Sequence, residues 1–154
     1  MITISTPAGP FTMTGNGVAV TAARFGDDDL PRGDVPQIAI DAVKAYLDGE
    51  IGALAKVPVA QSGTAYLEHC WDMLRTLETP ITYTEFATLT GKPHAVRAAA
   101  QGCARNQIAL LVPCHRVLRA DGSLGGYRWG LDVKRWLLDH EARCLHASEL
   151  QYSY

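Results

Sequence analysis

Five apolar residues in a row, Ile108-Ala109-Leu110-Leu111-Val112, run straight into Pro113-Cys114-His115-Arg116-Val117. Such a run belongs in a core, and its length suits a buried strand. A proline does not continue a central strand, so the chain is expected to present a thiol and an imidazole where that strand ends. This limits the fold more than any other feature, because a core must close around the run and still leave Cys114 reachable. Cysteine is among the most buried residue types and is commonly inert packing. The Cys-His pair therefore takes its meaning from what surrounds it.

Charge is distributed unevenly around the pair. Residues 1–90 carry 5 Lys/Arg against 11 Asp/Glu, whereas residues 91–135 carry 8 Lys/Arg against Asp121 and Asp132. A basic block that encloses the thiol points to a polyanionic partner meeting the chemistry at one place. The four cysteines (Cys70, Cys103, Cys114, Cys144) show no CxxC spacing and the histidines are scattered. Free thiols in a reducing, cytoplasmic setting are expected, with no metal site and no cofactor. No stretch approaches the ~20 apolar residues of a membrane span, and the N-terminus lacks the basic and apolar regions of a signal peptide. A length of 154 residues fits one domain, or a small domain with an appended one.

Residues 1–25 read as short strands, with turns at Thr6-Pro7-Ala8-Gly9 and Gly15-Asn16-Gly17 and strand pieces at Val18-Ala19-Val20 and Ala23–Phe25. A polar loop from Asp27 to Pro36 leads to Ile38, Ala42, Val43, Tyr46 and Leu47 at helical spacing, stopped by Gly49. Thr64 is a candidate N-cap for a helix whose apolar face is Leu67, Cys70, Trp71, Leu74 and Leu77. A short helix over 84–90 and a second over about 93–105, starting near Pro93, flank Gly91-Lys92 at the spacing of a helix-turn-helix. On the second of these, Val96, Ala99 and Cys103 share one side, with Arg97, Ala100, Gln101 and Ala104 nearly opposite. That places one long side chain, Arg97, among small residues that allow close approach. Ala120-Asp121-Gly122-Ser123 reads as a hairpin-type turn, Gly125–Gly130 as a glycine-rich aromatic loop, and Leu131 to about Ala142 as a helix burying Val133, Trp136 and Leu137.

Over roughly residues 64–142 these pieces resemble the O6-alkylguanine-DNA alkyltransferases, or methylated-DNA–protein-cysteine methyltransferases. The resemblance rests on Gly63–Tyr66 with Cys70-Trp71, Tyr83-Thr84, Gly91-Lys92-Pro93, Arg97-Ala98 and Asn106. It continues through Pro113–Val117, Gly126-Tyr127, Lys134 and Leu137–Glu141. It implies an α+β chain. A supporting N-terminal α/β domain (antiparallel sheet plus helices, RNase H-like) would cover 1–57, and a winged-helix-like catalytic and DNA-binding domain with the helix-turn-helix would cover 58–154.

The same resemblance implies single-turnover DNA repair by a cytoplasmic, nucleoid-associated monomer that needs no cofactor. Cys114 would take the alkyl group from O6 of guanine in duplex DNA, with O4 of thymine as a second candidate position. His115 would act as base through a water, oriented by Glu141, with Asn106 bracing the active-site turn and Tyr83 protonating the leaving guanine. Arg97 would enter the minor groove as the nucleotide flips out, beside Ala100 and Gln101, while Thr64, Thr84 and Lys92 hold the DNA backbone. Val117, Tyr127, Arg128 and Trp129 would shape the guanine pocket, with Trp129 narrowing it. Gln107 stands where relatives usually carry proline, which predicts a looser turn after Asn106. The alternative is a non-catalytic alkyltransferase-like protein that only binds lesions; the presence of Cys114, His115, Asn106, Tyr83 and Glu141 argues against it.

Overall fold

The computed structural model describes residues 1–26 and 29–152. Asp27 and Asp28 of the expected polar loop, and the last two residues of the tail, lie outside the described residues. Three antiparallel strands open the chain: β1 (Ile2–Thr6), β2 (Gly9–Gly15) and β3 (Val20–Phe25), in the order β1-β2-β3. The β1–β2 turn falls at the Pro-Ala step, where Gly9 takes φ 106 and Thr6 Oγ1 donates to Gly9 O at 2.6 Å. Its register sets Ile4 opposite Phe11 and Ile2 opposite Met13, putting Phe11 and Met13 in the core. Helix α1 (Gln37–Leu47) lays Ala39, Ala42, Val43 and Tyr46 into that core and stops before Gly49, at φ 113. A 3-10 turn, Ile51–Lys56, follows.

The remainder is mainly helical. Thr64 caps α2 (Ala65–Leu74) by accepting from Leu67 N at 3.2 Å. Thr82 and Glu85 form a reciprocal capping box on α3 (Tyr83–Leu89), which satisfies donors the helix start would otherwise leave open. Then come α4 (Val96–Ala104) and α5 (Leu131–Tyr152), with a two-stranded parallel pair, β4 (Ile81–Thr82) and β5 (Val117–Leu118), beside them. Helices α2 and α4 approach closely at Gly102, where any Cβ would stand 2.8 Å from Cys70 Cβ. Trp71 Nε1 donates across the same contact to Gly102 O at 3.0 Å. The buried apolar side chains join in one cluster running from Phe11 through Tyr46 and Trp71 to Leu110, Val117 and Leu137.

Several expectations are corrected. The apolar run 108–112 is not a strand: Ile108 alone bridges to Ala23 of β3, and the residues after it turn, with Leu110 at φ 70. Apolar composition identified burial but not extension, because the backbone groups here are satisfied by side chains and tight local bonds rather than by a ladder. Val18 is an exposed turn residue, and β3 begins at Val20. Helix α4 starts at Val96, after a separate turn in which Ala95 N donates to Lys92 O at 2.9 Å; Pro93 lies in that turn. The 120–123 turn closes on itself, Arg119 N to Ser123 O at 3.0 Å, but joins no hairpin, since β5 pairs in parallel with β4. Helix α5 runs past Ala142 to Tyr152.

Candidate active site

Cys114 begins a 3-10 turn, Cys114–Arg116, directly after the 108–113 segment. Asn106 builds that segment. Its Oδ1 accepts from Ile108 N at 3.0 Å, and its Nδ2 faces Ile108 O at 3.2 Å, Val112 O at 2.9 Å and Cys114 Sγ at 3.4 Å. One buried amide therefore closes the turn and touches the thiol at its end. Arg75 supports the same turn from behind, donating to Leu111 O at 2.7 Å and to Leu54 O at 3.2 Å. Gln107 also departs from expectation. Its N–H, which a proline would lack, donates to Gln61 Oε1 at 3.0 Å, while Gln61 Nε2 donates to Asn106 Oδ1 at 2.9 Å. The extra donor is tied into the Asn106 support, not left loose.

The thiol opens into a cleft of about 630 Å³ walled by Tyr83, by Ala100, Gln101, Cys103 and Ala104 of α4, and by Arg119 and Gly125–Arg128. Burial pushes the Cys114 thiol up to about 11, against the Asn106 hydrogen bond and the Lys134 and Arg128 charges. At neutral pH it is therefore a thiol, and attack requires a base to take its proton.

The imidazole adjacent in sequence is the candidate for that base. His115 is fully buried, with Nε2 2.6 Å from Glu141 Oε2. Burial opposes ionisation of Glu141, but the His115 and Arg116 contacts outweigh it and hold the carboxyl at about 2. An ionised carboxylate only accepts, so Nε2 carries the proton and Nδ1 keeps a free lone pair. Among the described residues Nδ1 has no hydrogen-bond partner. Burial lowers the His115 pKa, with Glu141 acting against it, which keeps the imidazole neutral and able to accept. Glu141 also receives Arg116 Nε on Oε1 at 2.7 Å and the Tyr46 hydroxyl on Oε2 at 2.7 Å.

The far wall comes from the glycine-rich loop. Lys134, fully buried on α5, donates to Val117 O at 2.9 Å, Gly126 O at 3.1 Å and Leu124 O, pinning that loop to β5. Gly125 takes φ 70 and an added Cβ would stand 3.0 Å from the Tyr83 ring, so the loop meets Tyr83 closely only because glycine is there. Burial pushes the Tyr83 hydroxyl up to about 12, Cys103 and Cys114 adding to this and Arg119 opposing it. Tyr83 is thus a protonated group at the cleft.

Cys114, Tyr83, Ala100, Gln101, Tyr127 and Arg128 meet at the cleft, with Asn106, His115 and Glu141 behind the thiol. Cys103 is a second thiol in the same wall. Val117 and Trp129 stand outside the lining. Val117 is buried in β5, and Trp129 packs edge-on against Tyr127 at 5.2 Å, under Arg128 at 5.6 Å. Trp129 therefore supports the Tyr127 wall. Arg97, Thr64, Thr84 and Lys92 are all exposed, and the Lys92 ammonium lies 4.6 Å from the Tyr66 ring centre. Tyr46 and Arg75 belong to the site without having been singled out from the sequence, while Arg116 and Lys134 stood there only as part of the family pattern, with no role given. Tyr46 looked like ordinary core.

Fold and site together set a buried thiol at a cleft walled by α4, the second of two successive short helices. Residues 66–143 match the family model described as 6-O-methylguanine DNA methyltransferase, DNA binding domain. A "Methylated-DNA--protein-cysteine methyltransferase" of Mycobacterium tuberculosis is 35% identical over 149 residues, 90% of each chain. The Escherichia coli "Bifunctional transcriptional activator/DNA repair enzyme Ada" is 48% identical over 89 residues, 56% of this chain and 25% of that protein. The chain thus spans about a quarter of the first curated relatives it matches. The solved structure "Crystal structure of Mycobacterium tuberculosis OGT in complex with DNA" superposes with a TM-score of 0.81 at 33% identity, covering 92% of both chains. The chain belongs to the methylated-DNA–protein-cysteine methyltransferase family.

Proposed function

We propose that this protein repairs DNA by moving an alkyl group, methyl first of all, from O6 of guanine onto its own Cys114, once per molecule. The observation that carries this reading is the thiol facing a cleft with room for a nucleobase while the base beside it is oriented by a buried carboxylate. Family membership, and a similar structure from Mycobacterium tuberculosis solved in complex with DNA, support it.

The chemistry follows from the groups present. The Cys114 proton passes to His115 Nδ1, across a water, while Nε2–H stays on Glu141. Cys114 Sγ then attacks the alkyl carbon in line, an S–C bond forms and the C–O6 bond breaks. The electron pair stays on the guanine, and Tyr83, protonated at the cleft wall, donates to it. The thioether has no route back, so the protein is consumed stoichiometrically.

A flipped nucleotide would enter along α4, where Ala100 and Ala104 leave room for the minor-groove edge and Gln101 supplies a polar contact. Arg97 would fill the vacated stack, and Thr64, Thr84 and Lys92 would hold phosphates. Residues 1–57 would act as the supporting part and 58–154 as the catalytic and DNA-binding part of a cytoplasmic monomer. No helix among the described residues is long and apolar enough to cross a membrane.

Intact-protein mass measurement after incubation with duplex DNA carrying O6-methylguanine tests the reading. One methyl on Cys114 per molecule is expected, with no turnover. Cys114→Ala abolishes transfer while still binding DNA; transfer that persists in this variant rules the assignment out. Arg97→Ala slows repair of duplex far more than reaction with the free alkylated base, and equal losses on both remove Arg97 from flipping.

A further inference from the structure

Tyr46 lies in α1, 95 residues before Glu141, and its hydroxyl donates to Glu141 Oε2 at 2.7 Å. That oxygen also receives His115 Nε2 at 2.6 Å, whereas Arg116 occupies Oε1. Two donors thus share one carboxylate oxygen, one from the proposed base and one from the N-terminal part of the chain. We propose that Tyr46 is a positioning residue for alkyl transfer, whose hydroxyl sets how strongly Glu141 holds the His115 proton. The proposal rests on the Cys114–His115–Glu141 reading and gives the N-terminal part a role in the chemistry beyond support.

Tyr46 is held firmly enough to do this. It is fully buried in the stripe with Ala39, Ala42 and Val43. His140, one residue before Glu141, places Nε2 2.8 Å from the Tyr46 carbonyl and sets its ring edge-on to the Tyr46 ring at 5.1 Å. The Tyr46 main chain and ring are therefore both fixed by α5, the helix that carries Glu141. Burial, then the neighbouring Glu141, raise the Tyr46 pKa far above the ordinary tyrosine value, so it remains a donor throughout the working range.

The direction of the effect follows from charge. Glu141 distributes its negative charge over His115, Tyr46 and Arg116. Without the hydroxyl, more of that charge acts on His115, which favours the imidazolium and makes His115 give up its proton only at higher pH. The other titratable groups facing this cluster are Arg116 and Lys134, which act against a charged His115, together with Cys144, Tyr127 and Cys114. His140 packs on Tyr46 from the same helix. None of them is altered when the hydroxyl alone is removed.

Tyr46→Phe keeps the ring, the His140 bond to the carbonyl and the core packing. Transfer rates to Cys114 measured across pH with O6-methylguanine duplex are expected to show the acid limb moved up by about one pH unit. That makes transfer about tenfold slower on the acid side, with a return to the wild-type plateau above it, the scale of one hydrogen bond to a charged group. A rate lowered equally at every pH means a merely structural role and overturns the proposal, as does an unchanged profile. The Glu141→Gln background separates the two levels of the argument. If Glu141→Gln slows transfer and adding Tyr46→Phe changes nothing further, Tyr46 acts through Glu141. If Tyr46→Phe moves the profile equally in that background, it does not. Should Glu141→Gln leave transfer untouched, the relay itself is wrong and Tyr46 falls with it.

Discussion

On the cleft side of Cys114 the walls are small residues of α4 and a loop of glycines and aromatics, with Gln101 and Arg128 exposed. On the buried side, Glu141 receives His115 and Arg116 from one turn and Tyr46 from α1, far away in the chain. The open wall is shaped by absence: missing Cβ atoms at Gly125 and Gly126, and methyl groups alone at Ala100 and Ala104. The closed wall is shaped by full satisfaction of charge. A site that must admit a base needs space in front, while a neutral imidazole must be held in one tautomer behind. Low dielectric makes the closed wall costly to disturb, because any partner removed leaves a buried polar group unpaired.

The sharpest break of that contrast is at Asn106, which belongs to the closed side but touches the thiol. Asn106→Ala leaves Ile108 N without its partner and takes one of two donors from each of the Ile108 and Val112 carbonyls, in a turn that already holds Leu110 at positive φ. A loss of about 3 kcal/mol in urea unfolding is expected, with transfer reduced even where the chain is folded. Stability equal to the parent chain would mean that the turn holds itself.

Acid should disturb the closed wall next. Glu141 is held at about 2 when folded, against an ordinary value of 4.5. The unfolded chain therefore binds this proton first, and stability present above about 4.5 is lost as pH falls toward about 2. The His115 pKa is also lowered on folding, so stability declines as pH falls below its ordinary 6.5. Both act in one direction. Melting temperature followed from pH 7 downward should drop through both windows, and Glu141→Gln should flatten the lower one.

The smallest effect is expected on the open wall. Gly125→Ala adds a methyl at φ 70 against the Tyr83 ring. A cost of about 1 kcal/mol is expected, together with transfer slowed a few-fold on duplex. Thermal melting and single-turnover rates measured on the same sample separate the two. If the rate falls without a stability change, the Tyr83 contact shapes the cleft and does little for the fold.

Much of the site was legible in order along the chain. The Pro113–Val117 motif, Asn106 eight residues before the thiol, and Glu141 on an amphipathic helix are local facts, as is the Thr64 cap. The 108–112 turn was not legible, because an apolar run reads alike whether it extends or coils. Tyr46 was hidden by its position in an apolar stripe, where periodicity counts it as core, and Lys134 stood out only as part of the family pattern. Trp129, beside the pocket in sequence, meets it through the Tyr127 ring, a contact that only packing creates.

By itself, then, the sequence determined the chemical inventory and the covalent neighbours: a thiol next to an imidazole, helices with their caps, and a basic block around them. Only the tertiary structure decided that His115 meets Glu141 through Nε2, and that Tyr46 of α1 completes the carboxylate. Spacing along a helix or strand encodes which residues share a face. It does not encode which distant face that one will meet, and buried hydrogen bonds form only after packing has brought the two together.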